Sequence, residues 1–174
     1  YDVYRMTTGM GKSMQELLAA SVELNVVDGV ILPNLKMQGT EEACAYLDEE
    51  GRCSIHPYRP GICRLFPLGR YYENGGFSYF LQTGECAKEN RSKIKVSKWI
   101  DTPDLTRNQQ FTLQWHDLLH AMEERLTGED EGKQREENLL LLRLFYLLPY
   151  EGTIDFYTQF TERMEHWNGQ NGQI

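Results

Sequence analysis

Apolar positions along the chain change period twice. From Ser13 onward, Leu17, Leu18, Ser21, Val22 and Leu24 recur at helical spacing and predict a helix through "GKSMQELLAASVEL", residues 11–24. Ser13 is its expected N-cap, because Glu16 three residues on completes the capping box that satisfies two orphan amides. The period then shortens. "GVILPNLKMQ", residues 29–38, reads as a short extended piece broken by Pro33. "ACAYLDEEGRCSIH", residues 43–56, reads as a hairpin with strands Cys44–Leu47 and Arg52–Ile55, a turn through Asp48 to Gly51, and Cys44 paired with Cys53. "GRYYENGGFSYFLQ", residues 69–82, carries a stronger hairpin signal, with two aromatic, strand-prone runs around Asn74, Gly75 and Gly76.

After Thr102 the helical period returns. Phe111, Trp115, Leu118, Leu119, Met122 and Leu126 predict a helix over 108–128 that stops at Gly128. "EENLLLLRLFYLLPY" predicts a second, closed by Pro149, and "TIDFYTQFTERMEHW" a third with Thr153 as N-cap. The polar "TGEDEGKQ" between the first two reads as a surface loop. The expected fold class is therefore α+β, mostly helical, with two small β-hairpins carrying a cysteine cluster. The expected organisation is one domain, in which a helical region over 101–174 packs on a cysteine-cluster region over 1–100.

Composition narrows the function classes. A chain of 174 residues, 40% hydrophobic and 25% charged, suits one folded domain and fits neither disorder, collagen nor a coiled coil. A net charge of -8 argues against a phosphate-neutralising surface. The basic stretch "KENRSKIKVSK", residues 88–98, has no interleaved aromatics for base stacking and reads as a solvated linker. "LLLLRLFYLL", residues 139–148, is too short to span a membrane and contains Arg143, so it reads as a buried helix. Residues 1–12 lack the apolar core of a signal peptide, although an opening Tyr1 in place of Met makes an upstream start an expectation. Nucleic acid and membrane are thus not expected as partners, and a cytoplasmic location is.

Four cysteines in a chain without a secretory signal point away from a disulfide framework and toward metal or redox chemistry. Cys44, Cys53, Cys63 and Cys86 are spaced C-x8-C-x9-C-x22-C, without the C-x2-C knuckle of a zinc ribbon. If the hairpins and the proline-rich segment converge, four thiolates could meet at one site, as tetrahedral zinc or a cubane 4Fe-4S cluster requires. The alternative, equally weighted on spacing alone, is that Cys44 and Cys63 are small buried hydrophobes.

Other motifs carry less. "GMGKS" invites comparison with a phosphate-binding P-loop, but Met6 stands where that loop needs a glycine, and no hydrophobic strand precedes it. His116 and His120, four apart, project from one helical face, yet no H-E-x-x-H pattern surrounds them and a surface or packing role is expected. A nucleophile made of Cys53 or Cys63 with His56 lacks an oriented third partner and an oxyanion-hole motif.

"CAYLDEEGRCSIHPYRPGICRLFPL", residues 44–68, resembles the signature of the CxxCxxCC cysteine-cluster family (YkgJ-type proteins), described as zinc- or iron-chelating. The resemblance rests on Cys44, Leu47, Gly51, Arg52, Cys53, Ile55, Arg59, Pro60, Cys63, Arg64, Phe66 and Pro67, with Cys86 in "TGEC" at the place of a further downstream cysteine. His56 replaces a tyrosine of the family pattern. The family is also defined by an N-terminal C-x2-C-x2-C-C cluster, whereas this chain has no cysteine before Cys44. Its opening resembles the region just after that cluster, so the other half of the constellation is expected upstream. The resemblance covers roughly residues 1–90 and implies zinc or an iron–sulfur cluster as cofactor.

Two further roles stand as alternatives, the first of them implied by the resemblance. Some relatives are associated with flagellin lysine methylation, which implies a metal-cluster-containing protein-modification enzyme with a methyl donor and a lysine-bearing protein partner. No glycine-rich loop of the dinucleotide type is present to hold that donor. The other role is a structural zinc module whose helices dock a partner. In either case Arg59 and Arg64 would offset thiolate charge and donate hydrogen bonds to sulfur, and His56, three residues from Cys53, is a reserve ligand. Pro60, Gly61 and Pro67 would hold Cys63 in a rigid turn.

Overall fold

A computed structural model describes residues 1–85 and 92–171. The chain forms two compact units, one from Tyr1–Arg59 with Leu119–Ile174, the other from Pro60–Leu118. The fold is α+β, with helices accompanied, among the described residues, by three two-stranded antiparallel sheets.

In the first unit, α1 (Asp2–Met10) ends at Gly11, whose φ of 64 closes the helix in the left-handed region. The capping box then starts α2 (Met14–Ala20): the Glu16 amide donates to Ser13 Oγ at 3.2 Å, and the Ser13 amide donates to Glu16 Oε2 at 2.7 Å. The helix stops four residues short of the expected Leu24. Val22, Val26 and Val27 are β-branched and favour a strand, and Asp28 and Gly29, with φ 50 and 79, supply a two-residue hairpin turn. β1 (Val22–Val27) therefore pairs with β2 (Val30–Leu35) in full register, with Val27 opposite Val30.

Pro33 does not break β2. In a hairpin with a two-residue loop, Val27 and Val30 form a hydrogen-bonded pair, so the parity places Ile31 and Pro33 at positions whose nitrogens face away from β1. The missing N–H of Pro33 costs no ladder bond. The outward amide of Ile31 donates instead to Asn138 Oδ1 at 2.7 Å.

Asn138 lies on α6 (Glu131–Leu141), which starts earlier than its apolar pattern suggests. Asp130, expected in a surface loop, is the N-cap, its carboxylate accepting from the Gly132 and Lys133 amides. The helix widens into a π-helical turn (Leu142–Leu147) and ends at Leu148, which is extended as a residue before proline must be. Arg163 of α7 (Phe156–Asn171) closes that end, donating to the carbonyls of Leu144, Leu148 and Pro149 at 2.7, 3.1 and 2.9 Å. The cap of α7 is Asp155 rather than Thr153: its carboxylate accepts from the Thr158 amide at 3.0 Å. Met6, Met14, Leu17, Val22, Tyr46 and Ile55 form a buried cluster in this unit.

The second unit holds α3 (Gly61–Leu65), the hairpin β5 (Leu68–Glu73) and β6 (Gly76–Leu81), and α4 (Val96–Ile100). Asn74 and Gly75 form the expected hairpin turn, both at positive φ. α5 (Leu105–Leu126) divides between the units after Leu118, and Gly128 at φ 83 follows it as expected. The basic stretch 88–98 lies partly outside the described residues, and its last residues open α4.

Candidate metal centre

Cys44 and Cys53 lie in the first unit, on two short connections. β3 (Met37–Gln38) pairs with β4 (Ala43–Cys44), and Cys44 stands opposite Met37. The expected partnership of Cys44 with Cys53 is therefore corrected. Leu47, not Cys44, bridges to Cys53, and the Asp48 and Ser54 amides donate to the carbonyls of Arg52 and Tyr46, each at 2.8 Å. The turn is tight because Asp48 Oδ1 accepts from the Glu50 and Arg52 amides while Gly51 takes φ 73. Register alone would then set Cys44 against His56. Cys44 instead begins a turn in which the Leu47 amide donates to its carbonyl at 3.0 Å, and the chain leaves the ladder after Ile55 for a 3-10 turn (His56–Tyr58).

Both thiols are half-buried, neither is in a disulfide, and both pack against the same buried cluster. Tyr46 ties the two connections to the helices: its hydroxyl and that of Ser21, at the end of α2, form a buried hydrogen bond. Ile55, two residues beyond Cys53, is buried in the same cluster. Tyr46, Ser21 and Ser54 did not stand out in the sequence. The signal available was the placing of a tyrosine and a serine beside two cysteines in a stretch otherwise rich in charge.

The remaining candidates sit as follows. Cys63 is exposed on α3, and Cys86 lies outside the described residues. His56 is exposed and Arg59 half-buried. Arg64 is buried in the second unit, where its Nη1 donates to Thr102 Oγ1 at 2.7 Å. His116 stacks on Tyr72 with ring centroids 3.8 Å apart, and His120 lies between Glu123 at 3.7 Å and Glu124 at 3.8 Å, surface and packing roles as expected.

Thiols fit zinc or iron in donor type, and half-burial limits competing water. Among the described residues, no three His, Cys, Asp or Glu side chains group closely enough to hold a metal ion. The described residues alone thus do not complete a tetrahedral set. Also among the described residues, no helix is long and apolar enough to cross a membrane.

Residues 7–86 match the model of the CxxCxxCC family, described as "Putative zinc- or iron-chelating domain". That match spans 80 of the chain's 174 residues. The matched range contains Cys44, Cys53 and Cys63 and ends on Cys86, and zinc or iron is the cofactor class that the description names for that domain. No curated protein and no solved structure matches the chain.

Proposed function

We propose that the chain is a metal-binding protein that holds zinc or an iron–sulfur cluster through the thiolates of Cys44, Cys53, Cys63 and Cys86. The observation that carries this reading is the CxxCxxCC match, whose range takes in every cysteine of the chain. The half-buried, unbridged state of Cys44 and Cys53 supports it, since a pair of thiols used only as a staple would be joined. His56 serves as reserve donor, and Arg59 and Arg64 offset the charge that thiolate ligation concentrates. A cytoplasmic location, where thiols stay reduced, suits the same chemistry.

Metal and acid-labile sulfide analysis of anaerobically purified protein, with an absorption spectrum, tests the reading. Zinc gives a colourless protein that loses metal to a chelator. A cluster gives iron with equimolar sulfide and visible absorption that bleaches on reduction. Metal bound at full stoichiometry after Cys44→Ser and Cys53→Ser together overturns the ligand assignment.

A further inference from the structure

The turn after Cys53 is mostly solvent-facing, with Ser54, His56 and Pro57 exposed, yet helix α1 grips it. The Arg5 guanidinium donates to the carbonyl of Pro57. The ring of Tyr58 lies against Gly9 so closely that a Cβ there would stand within 2.7 Å of Tyr58 Cγ and nearer still to the ring edge. Arg5 and Gly9 are four residues apart and share one face of α1. Met6, between them in sequence, is buried in the same cluster as Ile55. Two consecutive residues of the turn, Pro57 and Tyr58, are thus held by one helix that contains neither cysteine nor histidine, and Ile55 enters the cluster that the same helix joins through Met6.

The grip reaches Cys53 through the backbone. The Tyr58 amide donates to the Ile55 carbonyl at 2.7 Å, and the His56 amide donates to the Cys53 carbonyl at 3.3 Å. Displacing Tyr58 displaces the turn that begins at Cys53. Glycine is a poor helix former, so its presence inside α1 calls for a reason, and the flat approach of Tyr58 supplies one.

We propose that α1 positions Cys53 for metal ligation, with Gly9 and Arg5 as the positioning residues. This rests on Cys53 being a ligand. Neither residue touches the metal. Gly9 acts by admitting the Tyr58 ring, and Arg5 by fixing the carbonyl of Pro57.

The test compares Gly9→Ala with Gly169→Ala, whose added Cβ meets nothing within 4 Å, in full-length protein. Thiol labelling of the metal-free protein by an aromatic disulfide reagent is mapped to each cysteine, and zinc affinity is measured by chelator competition. In Gly9→Ala, Cys53 should label about tenfold faster with Cys44 unchanged. Zinc affinity should fall about 10- to 100-fold, the range found for groups that orient metal ligands. Gly169→Ala should change neither. Arg5→Met should mimic Gly9→Ala, and Arg5→Lys, which keeps a donor, should restore the native labelling rate. Where Gly9→Ala fails to fold, Tyr58→Leu tests the same contact and should show the same Cys53-specific acceleration. Labelling of Cys53 at the native rate in these variants overturns the proposal. Faster labelling with unchanged zinc affinity overturns instead the assignment of Cys53 as a ligand and leaves the grip of α1 supported.

Discussion

The carbonyl of Tyr46 accepts two hydrogen bonds from Ser54, one from the amide at 2.8 Å and one from the hydroxyl at 2.9 Å. With the Tyr46 hydroxyl bonded to Ser21, one residue holds the connection bearing Cys53 to the end of α2. Tyr46→Phe leaves the buried Ser21 hydroxyl without this partner and should cost about 1–3 kcal/mol, the penalty of an orphaned buried group. Removing both partners, in Tyr46→Phe with Ser21→Ala, should recover part of that loss. Urea unfolding of the two variants measures the difference, and equal losses would count against the bond as the cause.

Asn138 ties the tip of the first hairpin to α6. Its Oδ1 accepts from the Ile31 amide, and its Nδ2 donates to the Gly29 carbonyl at 2.9 Å and to Gln134 at 2.8 Å. Only 4% of the residue is exposed, and Val30 beside it is buried. Asn138→Ala should destabilise by about 2–4 kcal/mol, combining an orphaned amide with a small cavity. Asn138→Asp should also fail to restore stability, because a carboxylate cannot donate to Gly29. Amide exchange at Ile31 is the local check: it should accelerate in the alanine variant beyond the change in global stability.

Where the controlling interaction is local, the fold was legible in the sequence. Ser13 with Glu16, and Asn74 with Gly75, act within four residues, and each appears in the structure as read. Helical spacing in 17–24 masks the β1–β2 hairpin, whose turn at Asp28-Gly29 is set by two residues, and Pro33 stands at a register position that permits a strand. The π-helical turn depends on Arg163, which contacts residues 14 to 19 positions away and leaves no trace in local periodicity. At the candidate site, the cysteines were legible from composition and resemblance. The supports were not, because Gly9 matters only through Tyr58, and Tyr46 only through Ser21.

Burial keeps Tyr150 neutral and pushes its phenol up to about 12, with the nearby Arg163 acting in the opposite direction. Its hydroxyl donates to the Phe145 carbonyl at 3.0 Å, a bond that ionisation removes. Burial raises Tyr146 as well. Folded chains therefore hold these protons more tightly than unfolded ones, and the associated stability is complete below the ordinary tyrosine value of 10.0. It should decline as pH rises from there through about 12. Tyrosinate absorbance and far-ultraviolet circular dichroism recorded together should show part of the phenolate signal appearing only with loss of helix. Tyr150→Phe should reduce that coupled fraction.

The capping box predicts the opposite pH dependence at the acid end. The Ser13 amide and hydroxyl both donate to Glu16, the amide contributing most, and hold its carboxyl below the ordinary value of 4.5. A carboxylate that is more acidic when folded stabilises fully above 4.5 and loses that contribution as pH falls through its folded value. Because α2 presents Leu17, 1% exposed, to the central cluster, fraying of its first turn should loosen more than the helix end. Ser13→Ala should lower stability by about 1 kcal/mol at neutral pH, the usual cost of an N-cap. Glu16→Gln should be less stable than the parent at pH 7, and the two should converge as acid protonates the Glu16 carboxylate. Thermal unfolding at a series of pH values measures the gap, and a gap that does not shrink with acid would exclude the carboxylate as its source.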